Sequence, residues 1–396
     1  MNRKKIKDVK VEGKTVFVRN DFNVPLDKNG VIKDDSRIKA SIPTLKYLID
    51  NGAKVVCSSH FGRPGGIVKS ELSLSPVAKR LTELLQKEVI FIGKTIGNDI
   101  EKEKSGLENG SILLLENLRF DAREKENDES FAKELAKGID VYVNDAFGAS
   151  HRKHASISSI TNFVPVSCEG KLLEKEIKNL TIALKNPPKG YTVILGGAKV
   201  KDKIPVIKNL MDKADNFLIG GAMSYTFMKA SGKGIGNSLL DQDSINICKE
   251  ILKEAEEKKI RFLLPVDHIA ALTAEPNITI RIVKEGEDIP EDMKGLDIGF
   301  ETLEIYKKII KESKLIVWNG PMGVFEIDTF SGGTFGIAEA IADSDAISIV
   351  GGGDSVSAVN LAGVSSKITH ISTGGGASLE FLAGKKLPGI ESLSEE

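Results

Sequence analysis

Two doubly wound parallel-sheet lobes of the open α/β class are what the sequence predicts, and three observations predict them. Eleven short runs rich in Val, Ile and Leu recur along the chain, each followed by a polar or glycine-rich break and then a stretch with helical spacing. Runs that are apolar throughout suit strands buried on both faces, as in parallel sheets. Strands alternating with helices place helices on both faces of an open sheet. The third observation is size: 396 residues with eleven strands exceed one compact unit at roughly 150 residues per domain, so two are expected.

In order, the runs are TVFVRND from Thr15, KVVCSSH from Lys54, VIFIG from Val89, ILLLENLRF from Ile112 and VYVNDAFG from Val141. YTVILGGAK from Tyr191, FLIGG from Phe217, FLLPVD from Phe262, LIVWNGP from Leu315, AISIVGGGDS from Ala346 and THISTGGG from Thr369 follow. Between the first two, Ile38, Ile42, Leu45 and Ile49 recur with a helical period. A seam is expected near Cys168 to Pro188. Lys171 to Lys185 reads as one helix with a stripe of Leu173, Ile177, Leu180 and Leu184, ended by the breaker cluster Asn186-Pro187-Pro188-Lys189-Gly190. By pattern alone this is equally a core helix within one domain, but its central position favours a connection. The expected organisation is a lobe at 1–168, a connecting helix at 169–188 and a lobe at 189–377.

Composition narrows the function. Hydrophobic residues at 41%, charged residues at 28% and 38 glycines describe an ordinary globular chain and exclude a disordered, collagenous or coiled-coil one. Lys+Arg at 55 against Asp+Glu at 56, a net charge of -1, speaks against a nucleic-acid or polybasic membrane surface. Cys57, Cys168 and Cys248 are too scattered for a disulfide framework or a metal knuckle. No run approaches the ~20 apolar residues of a membrane span. The start, MNRKKIKDVKVEGK, has no apolar stretch behind its basic residues and does not read as a secretory signal, so a cytoplasmic protein is expected.

Eight of the ten arginines lie within the first 152 residues, and only Arg261 and Arg281 follow; the second half instead places glycines after its strands. Guanidinium forks grip carboxylate and phosphate bidentately, whereas bare backbone at helix starts suits a nucleotide's phosphates. In open parallel sheets the ligand crevice lies beyond the carboxyl ends of the strands. In the first half those ends carry Arg19 to Asn23, Ser59 to Pro64, Glu116 to Arg119, and Asn144 to Gly148 followed by His151 and Arg152, with Arg37 opening a helix. Such a set makes a cradle for a small, doubly anionic molecule. His60 in isolation is more readily a structural histidine; beside Arg63 at a strand end it reads as a ligand.

In the second half, Gly196-Gly197-Ala198-Lys199 leaves a strand, and Lys199 and Lys203 are spaced to share a helix face. Gly351-Gly352-Gly353-Asp354-Ser355 opens another helix, where N–H groups can hold phosphate oxygens and Asp354 can offer an oxygen to Mg²⁺, although a tight turn with an N-cap explains the string equally well. GxxxxGK[ST], GxGxxG and GxSxG do not occur, and no His/Cys cluster has metal-ligand spacing. Phosphoryl transfer needs no nucleophilic residue of the enzyme.

The string VFVRNDFNVP from Val16 resembles the signature of the phosphoglycerate kinase family. So do SRIKASIP, SSHFGRP, LENLRF, NDAFGASHRKHAS, LGGAKVKDKI, LIGGAM, LPVDH, WNGPMGVFE, GGGDS and STGGGASLE, in that family's order across essentially the whole chain. The resemblance implies two Rossmann-like lobes joined by a helix, with a C-terminal tail at 378–396 returning to the first. It implies a 3-phosphoglycerate site at Asp21, Asn23, Arg37, His60, Phe61, Gly62, Arg63, Arg119 and Arg152. The implied nucleotide site comprises Gly197, Ala198, Lys199, Lys203, Gly220, Gly221, Asn319, Glu326, Gly351, Gly352, Gly353, Asp354 and Ser355. Arg37, Lys199, Lys203 and Gly375 are the implied catalytic positions, and Asp354 holds Mg²⁺ with ADP or ATP.

Three positions depart from the family pattern: Ser355 stands where many relatives have Thr, Asn20 where they have a small apolar residue, and Asp292, in IPEDMKGLD, where glycine often sits near the adenine. The expected reaction moves the acyl phosphate of 1,3-bisphosphoglycerate to MgADP, reversibly, in a monomer whose lobes close about a hinge near 166–189 and 367–377. A nicotinamide-dependent dehydrogenase is disfavoured by the absent GxGxxG fingerprint. An inactive phospho-ligand binder is disfavoured by Lys203, Arg37 and Asp354.

Overall fold

The computed structural model describes residues 3–396. The chain divides into two compact units, one of residues 1–178 with 386–396 and one of residues 179–385. The boundary falls within the helix Lys171–Leu184, rather than leaving a separate connecting segment at 169–188.

The first unit holds β1 (Thr15–Asn20), β2 (Lys54–Ser58), β3 (Val89–Ile92), β4 (Ile112–Leu115), β5 (Val141–Asp145) and β6 (Val166–Glu169). They form one sheet in the order β3-β4-β2-β1-β5-β6, parallel throughout. β6 is absent from the eleven expected strands and occupies part of the expected hinge. The helix Ser36–Asp50 packs on this sheet through Ile38, Ser41, Leu45 and Leu48, while Ile42 and Ile49 are only half-buried.

The second unit holds β7 (Tyr191–Leu195), β8 (Asn216–Ile219), β9 (Arg261–Leu263), β10 (His268–Ala271), β11 (Arg281–Val283), β12 (Lys294–Ile298), β13 (Leu315–Asn319), β14 (Ile347–Gly351) and β15 (His370–Ile371). Six of these build a parallel sheet in the order β15-β14-β13-β7-β8-β9. β10, β11 and β12 form a small antiparallel sheet that the sequence reading missed. Every residue of β7 and β13 is buried, as their unbroken apolar runs require.

Both large sheets reverse their winding at the centre. From β7 the chain moves outward through β8 and β9, and from neighbouring β13 it moves the other way through β14 and β15. In the first unit the reversal lies between β1, which leads to β2, and β5, which leads to β6. Such switch points open a crevice at the strands' carboxyl ends. The candidate residues follow those ends.

The returning tail is shorter than the expected 378–396. The helix Gly375–Leu382 stays with the second unit, where the Asn209 side-chain amide donates to the Leu382 carbonyl at 2.7 Å. Residues 386–396 complete the first unit. The Asn144 amide donates to the Gly389 carbonyl at 2.7 Å, Arg3 Nη1 to the Leu393 carbonyl at 2.9 Å, and the Ser394 N–H to Ser167 Oγ at 2.9 Å. Leu387, Ile390 and Leu393 are buried there.

Candidate active site

In the first unit the strand ends and the helix start gather Arg37, Arg63, Arg119 and Arg152, of which Arg37 pairs with Asp21. Asp21, just past β1, accepts Arg37 Nη1 at 3.2 Å through both carboxylate oxygens. Arg37 Nη1 also donates to the Asn23 carbonyl at 3.3 Å. Asn23 Oδ1 takes the Gly62 N–H at 2.8 Å, tying the β1 and β2 loops together. The Phe61 N–H donates to Asn117 Oδ1 at 3.0 Å, with the Phe61 ring buried. Arg119 is only 8% exposed, yet Nη1 reaches just the Gly62 carbonyl, at 2.7 Å, and Nε has no partner. Burial, then Arg19 and Arg152, draw its pKa from 12.5 down to about 10. Arg63 and Arg152 are exposed. A buried guanidinium with an unused N–H suits an anion that comes from outside.

His60 is buried, and burial followed by the Arg19, Arg119 and Arg37 charges holds it well below the usual imidazole range. It is therefore neutral. Arg19 Nη2 lies 3.3 Å from His60 Nδ1, so Nδ1 accepts and Nε2 carries the proton. Arg19 is fully buried: Nε donates to Ser156 Oγ at 2.8 Å, and Nη2 stands 3.8 Å from Glu124 Oε1. Glu124 in turn accepts from Ser156 Oγ at 2.6 Å. Sequence reasoning missed this underlying network of Glu124 and Ser156, since no short-range pattern joins Arg19 to Glu124.

The second unit gathers its glycine loops at the β7/β13 switch point. The Gly197 N–H donates to the Pro321 carbonyl and the Gly221 N–H to the Met322 carbonyl, each at 2.8 Å. At Gly221 (φ +61), a Cβ would stand 2.4 Å from the Gly197 nitrogen, so only glycine permits this approach. Gly220 is buried and Ala198 exposed. Asn319 donates to the Gly351 carbonyl at 2.9 Å, and Gly352 would carry a Cβ 3.0 Å from the same amide. Ser355 is buried, its Oγ taking the Gly320 N–H at 2.6 Å, so its hydroxyl ties two loops together. Gly353 opens the helix Gly353–Leu361, and Gly375 opens the later helix Gly375–Leu382 beside Gly352.

Lys199 does not share a helix face with Lys203. The helix is Val200–Leu210, and Lys199 is its exposed N-cap residue with φ -93° and ψ 85°. Lys203 is buried in the first turn, and burial lowers its pKa against the pull of Asp202 and Asp354. Asp354 and Glu326 are exposed. Asp292 is exposed as well, while Met293 beside it packs half-buried against Tyr225, Met228 and Ile289.

The family model described as phosphoglycerate kinase matches residues 6–385. The chain belongs to the phosphoglycerate kinase family. The phosphoglycerate kinase of Clostridium botulinum strain Alaska E43 is 50% identical over 396 residues, covering 100% of this chain and 99% of that protein. That of the Hall strain is 50% identical over 397 residues, with the same coverage. The solved structure of the Coxiella burnetii phosphoglycerate kinase superposes with a TM-score of 0.88 at 37% identity, and that of Pyrococcus horikoshii OT3 with 0.85 at 36%; each covers 98% of both chains. Phosphoglycerate kinase activity follows from this family membership, and the dehydrogenase and inactive-binder readings are set aside.

Proposed function

We propose that the first unit binds 3-phosphoglycerate or 1,3-bisphosphoglycerate and the second binds ADP or ATP. The uncompensated charge at Arg119 carries this reading. It sits beside Arg152 and is joined through Gly62 to the loop bearing Arg63. Together with Arg37 and the Nε2–H of His60, these groups offer donors for a carboxylate and a phosphate. Asp21 and Asn23 orient Arg37 and the Gly62 loop.

In the forward direction an oxygen of the ADP β-phosphate attacks the acyl phosphorus. The bond from phosphorus to the carboxyl oxygen breaks, and 3-phosphoglycerate leaves as a carboxylate. The leaving group is already good, so positioning and charge stabilisation suffice. Arg37 and Lys203 stabilise the transferred group, Lys199 adds charge, and the helix starts at Gly353 and Gly375 supply N–H donors. Asp354, an exposed carboxylate in the first turn of a helix and within the field of Lys203, fits Mg²⁺ carried on nucleotide phosphates, an ion that takes one or two carboxylates and keeps waters. Held there, Mg²⁺ would supply charge neutralisation to the nucleotide phosphates. In-line transfer needs reacting atoms ~3–3.5 Å apart, and closure about the expected hinge is the proposed means of meeting that requirement.

We also assign a monomeric, cytoplasmic protein; among the described residues no helix is long and apolar enough to cross a membrane. The deciding experiment is calorimetric titration of Arg63→Ala/Arg152→Ala. The expected result is weakened 3-phosphoglycerate binding with MgADP binding intact. Unchanged 3-phosphoglycerate affinity would place the acid elsewhere.

A further inference from the structure

Asp297, at the end of β12, is fully buried yet bears a carboxylate. Oδ2 accepts the Gly333 N–H at 2.8 Å, in the first turn of the helix Gly332–Ala342, and Oδ1 accepts the Ile298 N–H at 2.9 Å. Burial pushes the carboxyl up to about 7, opposed by these two N–H groups. The loop after β13 lies directly against it. A Cβ on Gly323 would stand 2.2 Å from Asp297 Oδ1. In the same turn of that helix, Thr334 Oγ1 accepts the N–H groups of Met322 at 3.0 Å and Gly323 at 3.3 Å. The Val324 N–H then donates to the carbonyl of Leu296, the residue before Asp297, at 2.9 Å.

We propose that Asp297 is a positioning residue for nucleotide binding, clasping the helix start that in turn fixes residues 322–324 and so places Glu326 at the nucleotide. Carboxylate, helix turn and glycine loop close on one another around the buried Asp297, Gly333 and Thr334, where lost hydrogen bonds are poorly replaced by water. The clasp explains why residue 323 is glycine, since any side chain there would displace the carboxylate. It reaches no substrate itself. The inference rests on the assignment of Glu326 to the nucleotide.

Steady-state kinetics of Asp297→Asn tests it. The amide keeps the shape but turns a donor toward an N–H, so the KM for ADP should rise roughly 10-fold, as for one buried hydrogen bond left unmade, while the KM for the acid substrate stays put. Gly323→Ala strikes the clasp from the other side and should give the same split. The double variant should be no worse than the more damaging single one, because both break one unit. KM values that rise together, additive effects in the double variant, or a lowered Tm with an unchanged KM for ADP would overturn the clasp. Should Asp297→Asn fail to fold, the split in Gly323→Ala decides alone. Glu326→Ala separates the two levels: if it raises the KM for ADP while Asp297→Asn does not, only the clasp fails, and if it has no effect, the nucleotide assignment of the loop fails.

Discussion

Replacing Arg119 with methionine should weaken ligand binding and strengthen the fold at the same time. Its pKa, drawn from 12.5 to about 10, means that the folded protein holds the charged form against a gradient of burial and neighbouring cations. At 1.36 kcal/mol per unit, the shift amounts to ~3 kcal/mol of destabilisation at pH 7, where the group is charged in both folded and unfolded chains. Against it stands the 2.7 Å hydrogen bond to the Gly62 carbonyl, which contributes ~1–2 kcal/mol. Methionine fills the apolar volume of the stem, so a net gain of ~1–2 kcal/mol is expected, or a Tm rise of ~2–8 °C for a unit of this size. Losing a charge-assisted donor should weaken 3-phosphoglycerate binding by roughly 10- to 100-fold. Differential scanning calorimetry without ligand and titration calorimetry with 3-phosphoglycerate read the two effects separately. A lower Tm together with unchanged affinity would show that Arg119 is a structural cation, and the reasoning from its missing counter-charge would be wrong.

Lys203→Ala should lower turnover by roughly 10²–10³ and leave 3-phosphoglycerate affinity unchanged, as for loss of one preorganised charge-stabilising donor; a coupled ATP assay with a parallel titration checks it. Asp354→Asn should raise the Mg²⁺ concentration needed for half-maximal turnover without changing acid binding, and an unchanged Mg²⁺ dependence would remove Asp354 from the metal. Burial holds His268 down from 6.5 to about 4. The unfolded chain therefore takes up a proton that the folded chain refuses as pH falls from 6.5 toward 4, and stability drops over that window. His268→Gln should flatten this part of the pH–Tm profile, measured by calorimetry across pH 4–7.

All eleven strands read from unbroken apolar runs exist, because strands covered on both faces leave the plainest trace in a sequence. The four missed strands lack that trace. β6 is Val-Ser-Cys-Glu, and β11 exposes Arg281 and Ile282. β10 pairs with β12 through a register shift between Ile269 and Ala270. Much of the candidate site was legible for a geometric reason: parallel sheets deliver residues such as Asp21, Asn23 and Arg119 to strand ends, where short motifs mark them. Groups that hold those residues in place were not legible. Glu124 lies under Arg19 and Thr334 takes the N–H of Met322, contacts that only the folded chain creates. The resemblance to the family reached further than periodicity did, although it drew the returning tail eight residues too long.

That tail bears on how the protein is made. During translation the first unit's amino-terminal part leaves the ribosome early, but Leu387, Ile390 and Leu393 emerge only after the entire second unit has been synthesised. At roughly 5–20 residues per second, the intervening stretch imposes a delay of about 10–40 s. Through that interval Asn144, Ser150 and Ser167 wait without the partners that Gly389 and Ser394 later provide. The nascent first unit is therefore left with an open seam beside β6, so a ribosome-stalled chain ending before residue 386 should be nicked by protease there, while the released full-length protein resists.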